Sequence, residues 1–300
     1  MKRSRKMRDM TARIIGVLTA CLLAFASITL AGQSAAESFD SNGIQISYLD
    51  KGRGVPAVLL HGLTGSAARH WEAPGVMAAL ETAGYRAIAM DCRGHGQSGK
   101  PHDSSQYGLE MVRDVVRLLD HLHIDRAHIV GYSMGGVIAN QLLVRYPDRL
   151  RTVTLLGSGW QGEDMSAITA QMHALADGFE KRDASWLVGA VTGGQNTLSK
   201  AEIEAMNASL FARNDPEALA AATRGLVPLY EVSRDRLRAT KVPVLAIIGD
   251  QDTFNLEPVK RMAAVVPKME VVELPGATHA TSVRPSAQPL IAFLNKHSRD

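Results

Sequence analysis

The stretch His128-Ile129-Val130-Gly131-Tyr132-Ser133-Met134-Gly135-Gly136 decides how this chain folds. An apolar run from Ala127 to Val130 stops at Gly131, and a helical pattern from Val137 to Tyr146 follows, closed by Pro147. Between them lies Gly131-Tyr132-Ser133-Met134-Gly135, a G-x-S-x-G pattern in the setting that gives it meaning, a strand before and a helix after. A turn this sharp brings its flanking positions so close that side chains there would collide, which is why glycine occupies both. Ser133 is therefore expected at the carboxyl end of a strand, its hydroxyl presented outward beside the positive end of a helix.

On either side of this stretch, short apolar runs alternate with helical patterns. The runs are Ala57–Leu60, Arg86–Met90, Ala127–Val130, Thr152–Leu156, Val244–Ile248 and Glu270–Leu274. Unbroken aliphatic runs of this kind are expected of parallel strands buried on both faces. A helix is predicted over Met111 to Leu122, apolar at Met111, Val115, Leu118, Leu119 and Leu122. Ahead of the first run, Ser38-Phe39-Asp40 and Ile44 to Tyr48 flank Asn42-Gly43, a hairpin dipeptide. Strand–helix alternation implies an α/β fold, a doubly wound and mostly parallel sheet with its site at the carboxyl ends of the strands.

One interval breaks the alternation. From Gly159 to about Thr240 the signals are helical: Met165, Ile168, Met172, Leu175 and Phe179 repeat at three-and-four spacing. Ser199 with Glu202 forms a capping box, and Asp215-Pro216 is a cap followed by proline at the first helical position.

The first 36 residues read differently from the rest. Lys2, Arg3, Arg5, Lys6 and Arg8 precede an uncharged stretch from Ile14 to Ala36, ending in Ser34-Ala35-Ala36. This is the form of a signal peptide cleaved after Ala36, giving an exported protein, periplasmic or secreted. The stretch is also long enough to remain as a membrane anchor. Leu18-Thr19-Ala20-Cys21 resembles a lipoprotein box, although apolar residues continue past the cysteine. Membrane association follows only if this segment is retained.

The leader holds six of the 33 Lys and Arg residues and one of the 30 Asp and Glu, so residues 37–300 carry 27 basic groups against 29 acidic. The basicity of the whole chain thus belongs to the leader and implies no nucleic-acid partner. Cys92 is the one cysteine after the leader, so no disulfide within that part is available and an ordinary core must stabilise it.

The elbow, the alternation and the residues that follow resemble the α/β-hydrolase family, from about Ile44 to the end of the chain. The resemblance implies a core formed by 37–158 and 241–300 and a helical cap, 159–240, inserted between core strands 6 and 7. It also implies a catalytic order of serine, acid, histidine. His279, in Leu274-Pro275-Gly276-Ala277-Thr278-His279 after the last apolar run, stands where the family carries its general base. Gly249-Asp250-Gln251-Asp252 matches the family's G-D-x-D arrangement, whose second aspartate, Asp252, orients the histidine. Asp250 is the near rival, and Glu163 and Asp164 are the carboxylates available after the sixth strand. The oxyanion donors implied are the backbone N–H groups of Met134 and of Leu63, the latter in Leu60-His61-Gly62-Leu63. Asp91 to Ser98 resembles the family's D-x-R-G-x-G-x-S loop and reads as scaffolding, with Cys92 a buried thiol.

The function implied is a serine hydrolase acting on a carboxylic ester or lactone of a small to medium acyl substrate. Trp160, at the entrance to the cap, is the candidate substrate-binding residue; Trp186, Phe179 and Phe211 are the cap's other large aromatics. Serine in place of aspartate at the nucleophile position disfavours epoxide hydrolysis and dehalogenation. Haloperoxidase or perhydrolase-like chemistry, C–C bond hydrolysis and a ligand-binding homologue without turnover remain alternatives. H-E-x-x-H and a P-loop are absent from the sequence, as is a dinucleotide fingerprint in its strand–turn–helix setting, so no cofactor and no metal are implied, and the expected partner is a small-molecule substrate.

Overall fold

The computed structural model describes residues 36–187 and 198–298. Of the expected leader, everything before Ala36 lies outside the described residues. The strands are β1 (Ala36–Ser41), β2 (Ile44–Lys51), β3 (Val55–Leu60), β4 (Tyr85–Met90), β5 (Ala127–Tyr132), β6 (Leu150–Leu156), β7 (Val244–Gly249) and β8 (Glu270–Leu274). The helices are α1 (Val76–Thr82), α2 (Leu109–His121), α3 (Met134–Arg145), α4 (Ser166–Glu180), α5 (Lys200–Phe211), α6 (Pro216–Leu226), α7 (Arg234–Ala239), α8 (Leu256–Ala263) and α9 (Ala287–Lys296).

The strands form one sheet in the order β1-β2-β4-β3-β5-β6-β7-β8. β1 and β2 make the hairpin expected at Asn42-Gly43, with Ser41 opposite Ile44, and β2 runs antiparallel to β4. From β4 through β8 all neighbours are parallel. β5 and β7 are buried along their whole length, as unbroken apolar runs require. β8 departs from that expectation. It is the outer strand, with β7 as its one neighbour, and its exposure alternates, leaving Val271 40% exposed and Glu273 in solvent.

The strand order places the site. The chain moves from β3 to β4 on one side, then returns past β3 to β5 on the other. At such a reversal the connections leaving two adjacent strands diverge, and a crevice opens above their carboxyl ends. The loop beginning at His61 and the turn at Ser133 flank it. α4 to α7 fall between β6 and β7, where the sequence has no strand signal. The Ser199 hydroxyl accepts from Glu202 N–H while the Glu202 carboxylate accepts from Ser199 N–H, completing the expected capping box of α5. Asp215 caps α6 ahead of Pro216. Ile168, Met172, Leu175 and Phe179 of α4 pack with Leu210 and Leu219 into a cluster of their own. At ~1.5–3 kcal/mol for each buried side chain of this size, that cluster holds the helical layer together. Among the described residues no helix is long and apolar enough to cross a membrane.

The connection after β4 supports the crevice from below. Asp91 accepts from Ala67 N–H at 2.7 Å and Gln97 N–H at 2.8 Å, and the Ser98 hydroxyl donates to the Asp91 carbonyl at 2.6 Å. Arg93 is paired through two bonds with Asp114 of α2, at 2.7 and 2.6 Å, and the Asp114 side chain is fully buried. These bonds make Asp91 to Ser98 a brace between the loop after β3 and α2. Cys92 within this loop is buried, and burial pushes its thiol pKa up. His61 Nδ1–H donates to the Gly62 carbonyl at 2.8 Å and His61 Nε2 accepts from Cys92 N–H at 3.0 Å, which ties the two loops together. The His95 ring lies 5.2 Å from that of His61, its Nδ1–H donating to the Arg93 carbonyl.

Breaking the Arg93–Asp114 pair from one side leaves a buried charge without its partner. Asp114→Ala is expected to cost about 3–5 kcal/mol, read from urea unfolding; a change near zero would mean that Arg93 finds water instead. Burial also lowers the pKa of His61 to about 4 and that of His95, with help from His61, to about 3, from 6.5. The unfolded chain therefore takes up protons first as pH falls. Stability is complete above about pH 6.5 and is lost below it, at ~1.4 kcal/mol per histidine per pH unit, until the folded values are reached. The lowered pKa values of His70 and His128 act in the same direction, so stability at about pH 5 should be lower than at about pH 7.5 by at least ~2–4 kcal/mol, and identical midpoints would contradict this.

Candidate active site

Ser133 has φ 53° and ψ −112°, a conformation that side-chain-bearing residues rarely adopt. Holding a serine there costs ~1–3 kcal/mol, and the surrounding packing enforces it. A Cβ on Gly131 would lie 2.2 Å from the Gly135 carbonyl oxygen, and one on Gly135 would lie 2.1 Å from that of Leu60. The elbow is thus seated against the end of β3, and glycine at both positions is a consequence of close approach. Gly135 N–H donates to the His61 carbonyl, and Gly136 and Val137 N–H groups donate to that of Ser133. Met134, the first residue of α3, lines the crevice.

The loops after β7 and β8 bring Asp252 and His279 together. The Asp252 carboxylate accepts from His279 Nδ1–H at 2.7 Å, with both side chains buried. A carboxylate can only accept here, so the neutral ring keeps its proton on Nδ1 and its lone pair on Nε2. Asp252 is itself fixed by Asn255, whose backbone N–H donates to Oδ1 at 3.1 Å and whose amide lies 3.3 Å from both oxygens. The His279 carbonyl accepts from the Tyr132 hydroxyl at 3.0 Å and the Ser282 hydroxyl at 2.9 Å. The Tyr132 ring stacks on the imidazole at 5.0 Å between centroids. Behind the pair, Gly157 has φ +55°, and a Cβ there would lie 2.9 Å from His279 Nδ1.

Ser133, Met134, Leu63 and His279 line one cavity of about 360 Å³. Its roof is apolar: Met172 and Leu175 of α4, Met206 and Leu210 of α5, Leu226 of α6, with Tyr230 and Phe254. So of the residues expected from the sequence, the serine, the histidine and the two residues proposed as oxyanion donors meet at one cavity, with Asp252 directly behind the histidine. Asp250 faces away, its carboxylate capping the Gly276 N–H at 2.8 Å. Glu163 and Asp164 are exposed, and Asp164 is engaged by Ser166 N–H at 2.9 Å.

Trp160 is not brought to this cavity. Its side chain is 5% exposed and packs in the main core, with its indole N–H donating to the Val232 carbonyl at 2.9 Å. A strand-end tryptophan looks the same in sequence whether it faces the cavity or the core. The tryptophan that does line the cavity is Trp186. The sequence reading also missed Tyr132, Asn255, Gly157 and His70. Asn255 had a local signal, an amide three residues after an aspartate. The others act through contacts between distant segments.

The sequence profile of the alpha/beta hydrolase fold family matches residues 56–283. The 2-hydroxy-6-oxo-6-phenylhexa-2,4-dienoate hydrolase of Comamonas testosteroni is 37% identical over 129 residues, which cover 41% of this chain and 43% of that relative. Among solved structures, a bromoperoxidase from Bacillus anthracis superposes with TM-score 0.69 at 25% identity, over 87% of this chain and 100% of its own. Est816, an N-acyl homoserine lactone degrading enzyme, superposes with TM-score 0.64 at 26% identity, over 87% and 99%. The match along most of the chain, on an eight-stranded sheet of this order, means that the chain belongs to the alpha/beta hydrolase fold family.

Proposed function

We propose that this hydrolase cleaves a carboxylic ester or lactone of a small to medium acyl substrate through an acyl-enzyme on Ser133. The observation that carries the reading is the 2.7 Å contact between His279 Nδ1 and the buried Asp252, on a ring that lines the same cavity as Ser133. The tautomer set by Asp252 leaves His279 Nε2 free to take the serine proton as the hydroxyl oxygen attacks the carbonyl carbon. The oxyanion that forms is held by the N–H groups of Met134 and Leu63. As the tetrahedral species collapses, His279 returns the proton to the departing alcohol, or to the tethered hydroxyl of an opened lactone. Water then attacks the acyl-enzyme by the same route, and the acid leaves.

The apolar roof from α4 to α6 favours an acyl chain over a polar group. Likeness to a lactone-degrading enzyme keeps lactones in the substrate class. Export through the N-terminal segment belongs to the same proposal, read from the basic and apolar pattern of residues 1–36.

A fluorophosphonate probe is expected to label the wild-type chain at Ser133. Ser133→Ala should abolish labelling and lower kcat on p-nitrophenyl esters by roughly 10⁴–10⁶-fold. A folded wild-type chain that never labels would instead favour a ligand-binding role. The choice between the two aspartates has its own test. Asp252→Asn is expected to lower kcat by about 10⁴-fold through loss of the correct tautomer, whereas Asp250→Asn should stay near wild type; the reverse ranking would reassign the acid.

A further inference from the structure

The cavity holds one charged group that the proposed acyl-transfer chemistry leaves unused. Arg69, in the turn after His61, lines it next to His70. Elsewhere several arginines pair with carboxylates, Arg86 with Asp50, Arg93 with Asp114, Arg224 with Asp177 and Glu180, while Arg126 and Arg261 bind backbone carbonyls of Leu150 and Gln161. The Arg69 guanidinium donates to the Thr64 carbonyl at 3.3 Å, and among the described residues no carboxylate pairs with it. No acidic side chain is among the described residues lining the cavity.

Two further observations point the same way. Arg69 is exposed at the edge of the cavity; partial burial of the guanidinium and the positive charge of Arg213 push its pKa down, so a negative charge beside it is favoured. Arg213, from the turn between α5 and α6, has its own guanidinium bound to the Ser209 hydroxyl at 2.7 Å and likewise has no carboxylate partner among the described residues. His70 Nδ1 accepts from Gly62 N–H at 3.1 Å, so its neutral ring carries the proton on Nε2 and can only donate there. Burial keeps that ring neutral, its pKa lowered to about 3.

We propose that Arg69, with the Nε2–H of His70 beside it, anchors a carboxylate on the substrate at the end remote from the scissile carbonyl. The preferred substrates are then ester-acids, not neutral esters. This deepens the ester-hydrolase reading and rests on it for the reaction, though not for the binding. A planar guanidinium matches a carboxylate through two parallel bonds, and the apolar roof holds the chain between the two ends. Because Arg69 is exposed, such a bond is expected to change affinity by about two- to tenfold.

Two measurements test the anchor. The first compares kcat/KM for matched pairs, p-nitrophenyl hemiadipate against p-nitrophenyl hexanoate and p-carboxyphenyl butyrate against phenyl butyrate, so that the charge sits on the acyl or the alcohol side. The anionic member of at least one pair should be favoured at least about threefold, mainly through KM. That preference should collapse in Arg69→Gln, survive in part in Arg69→Lys, and weaken with salt. The second is calorimetric titration of monoethyl adipate and diethyl adipate into Ser133→Ala, where nothing turns over. The monoester should bind more tightly, and the advantage should vanish when Arg69→Gln is added. Tighter monoester binding that depends on Arg69 supports the anchor even if no ester is cleaved, in which case the ester-hydrolase reading fails alone. Ester cleavage with no charge preference in either pair, and equal binding of the two adipates, overturns the anchor and leaves the hydrolase reading standing. A monoester preference that Arg69→Gln does not change, as for a carboxylate seated in the oxyanion site, also overturns it.

Discussion

The contact between the Gly135 backbone and the Leu60 carbonyl is the constraint on which the rest depends. There is no room for a side chain at Gly131 or Gly135, so the chain leaves β5, turns within three residues and enters α3 pressed against the end of β3. Ser133 sits at the tip of that turn with φ 53°. The strain there is opposed by bonds that include Gly135 N–H to the His61 carbonyl and Ser133 N–H to that of Leu156. Because β3 and β5 are neighbours at the point where the strand order reverses, the loop after β3 and the elbow share one crevice.

Around that turn the molecule spends much of its buried polar chemistry on holding loops, not elements. His61 joins the loop after β3 to the loop after β4, Asp91 joins the second of these to Ala67, and Arg93 fastens it to α2 through Asp114. Each is satisfied by specific partners, as burial requires. Buried histidines make this arrangement sensitive to acid, because their neutral state is a condition of the packing. The imidazole of His279 is held in the same manner, by Asp252 on Nδ1, by the Tyr132 ring on one face, and at its own carbonyl by Tyr132 and Ser282.

The helical segment between β6 and β7 has a second role besides its own packing. Ile168 and Phe179 bury into its internal cluster, whereas Met172 and Leu175, on the same helix, also reach the cavity. An amphipathic stripe of this kind serves both the layer and the pocket, so the same residues stabilise the roof and set the shape available to substrate. Arg69 and His70 line the same cavity with Ser133 and His279.

The amino-acid sequence by itself determined the strand–helix alternation, the hairpin at Asn42-Gly43, the helix caps at Ser199 and Asp215, and the positions of Ser133, Asp252 and His279, because each of these is written in local periodicity or a short motif. It assigned Trp160 to the substrate site, where the structure packs it in the core, and it took β8 for a strand buried on both faces, because a residue's neighbours across the fold are not encoded next to it. The pairing of His279 with Asp252 instead of Asp250 is fixed by geometry: Asp250 is already turned toward Gly276, while Asp252 is drawn in by Asn255. Tyr132, Gly157, His70 and Arg69 gained their roles only when segments far apart in the chain were brought within contact distance. Local signals follow from the backbone's own sterics and hydrogen bonding, whereas which side chains face a shared cavity is settled by how whole elements pack.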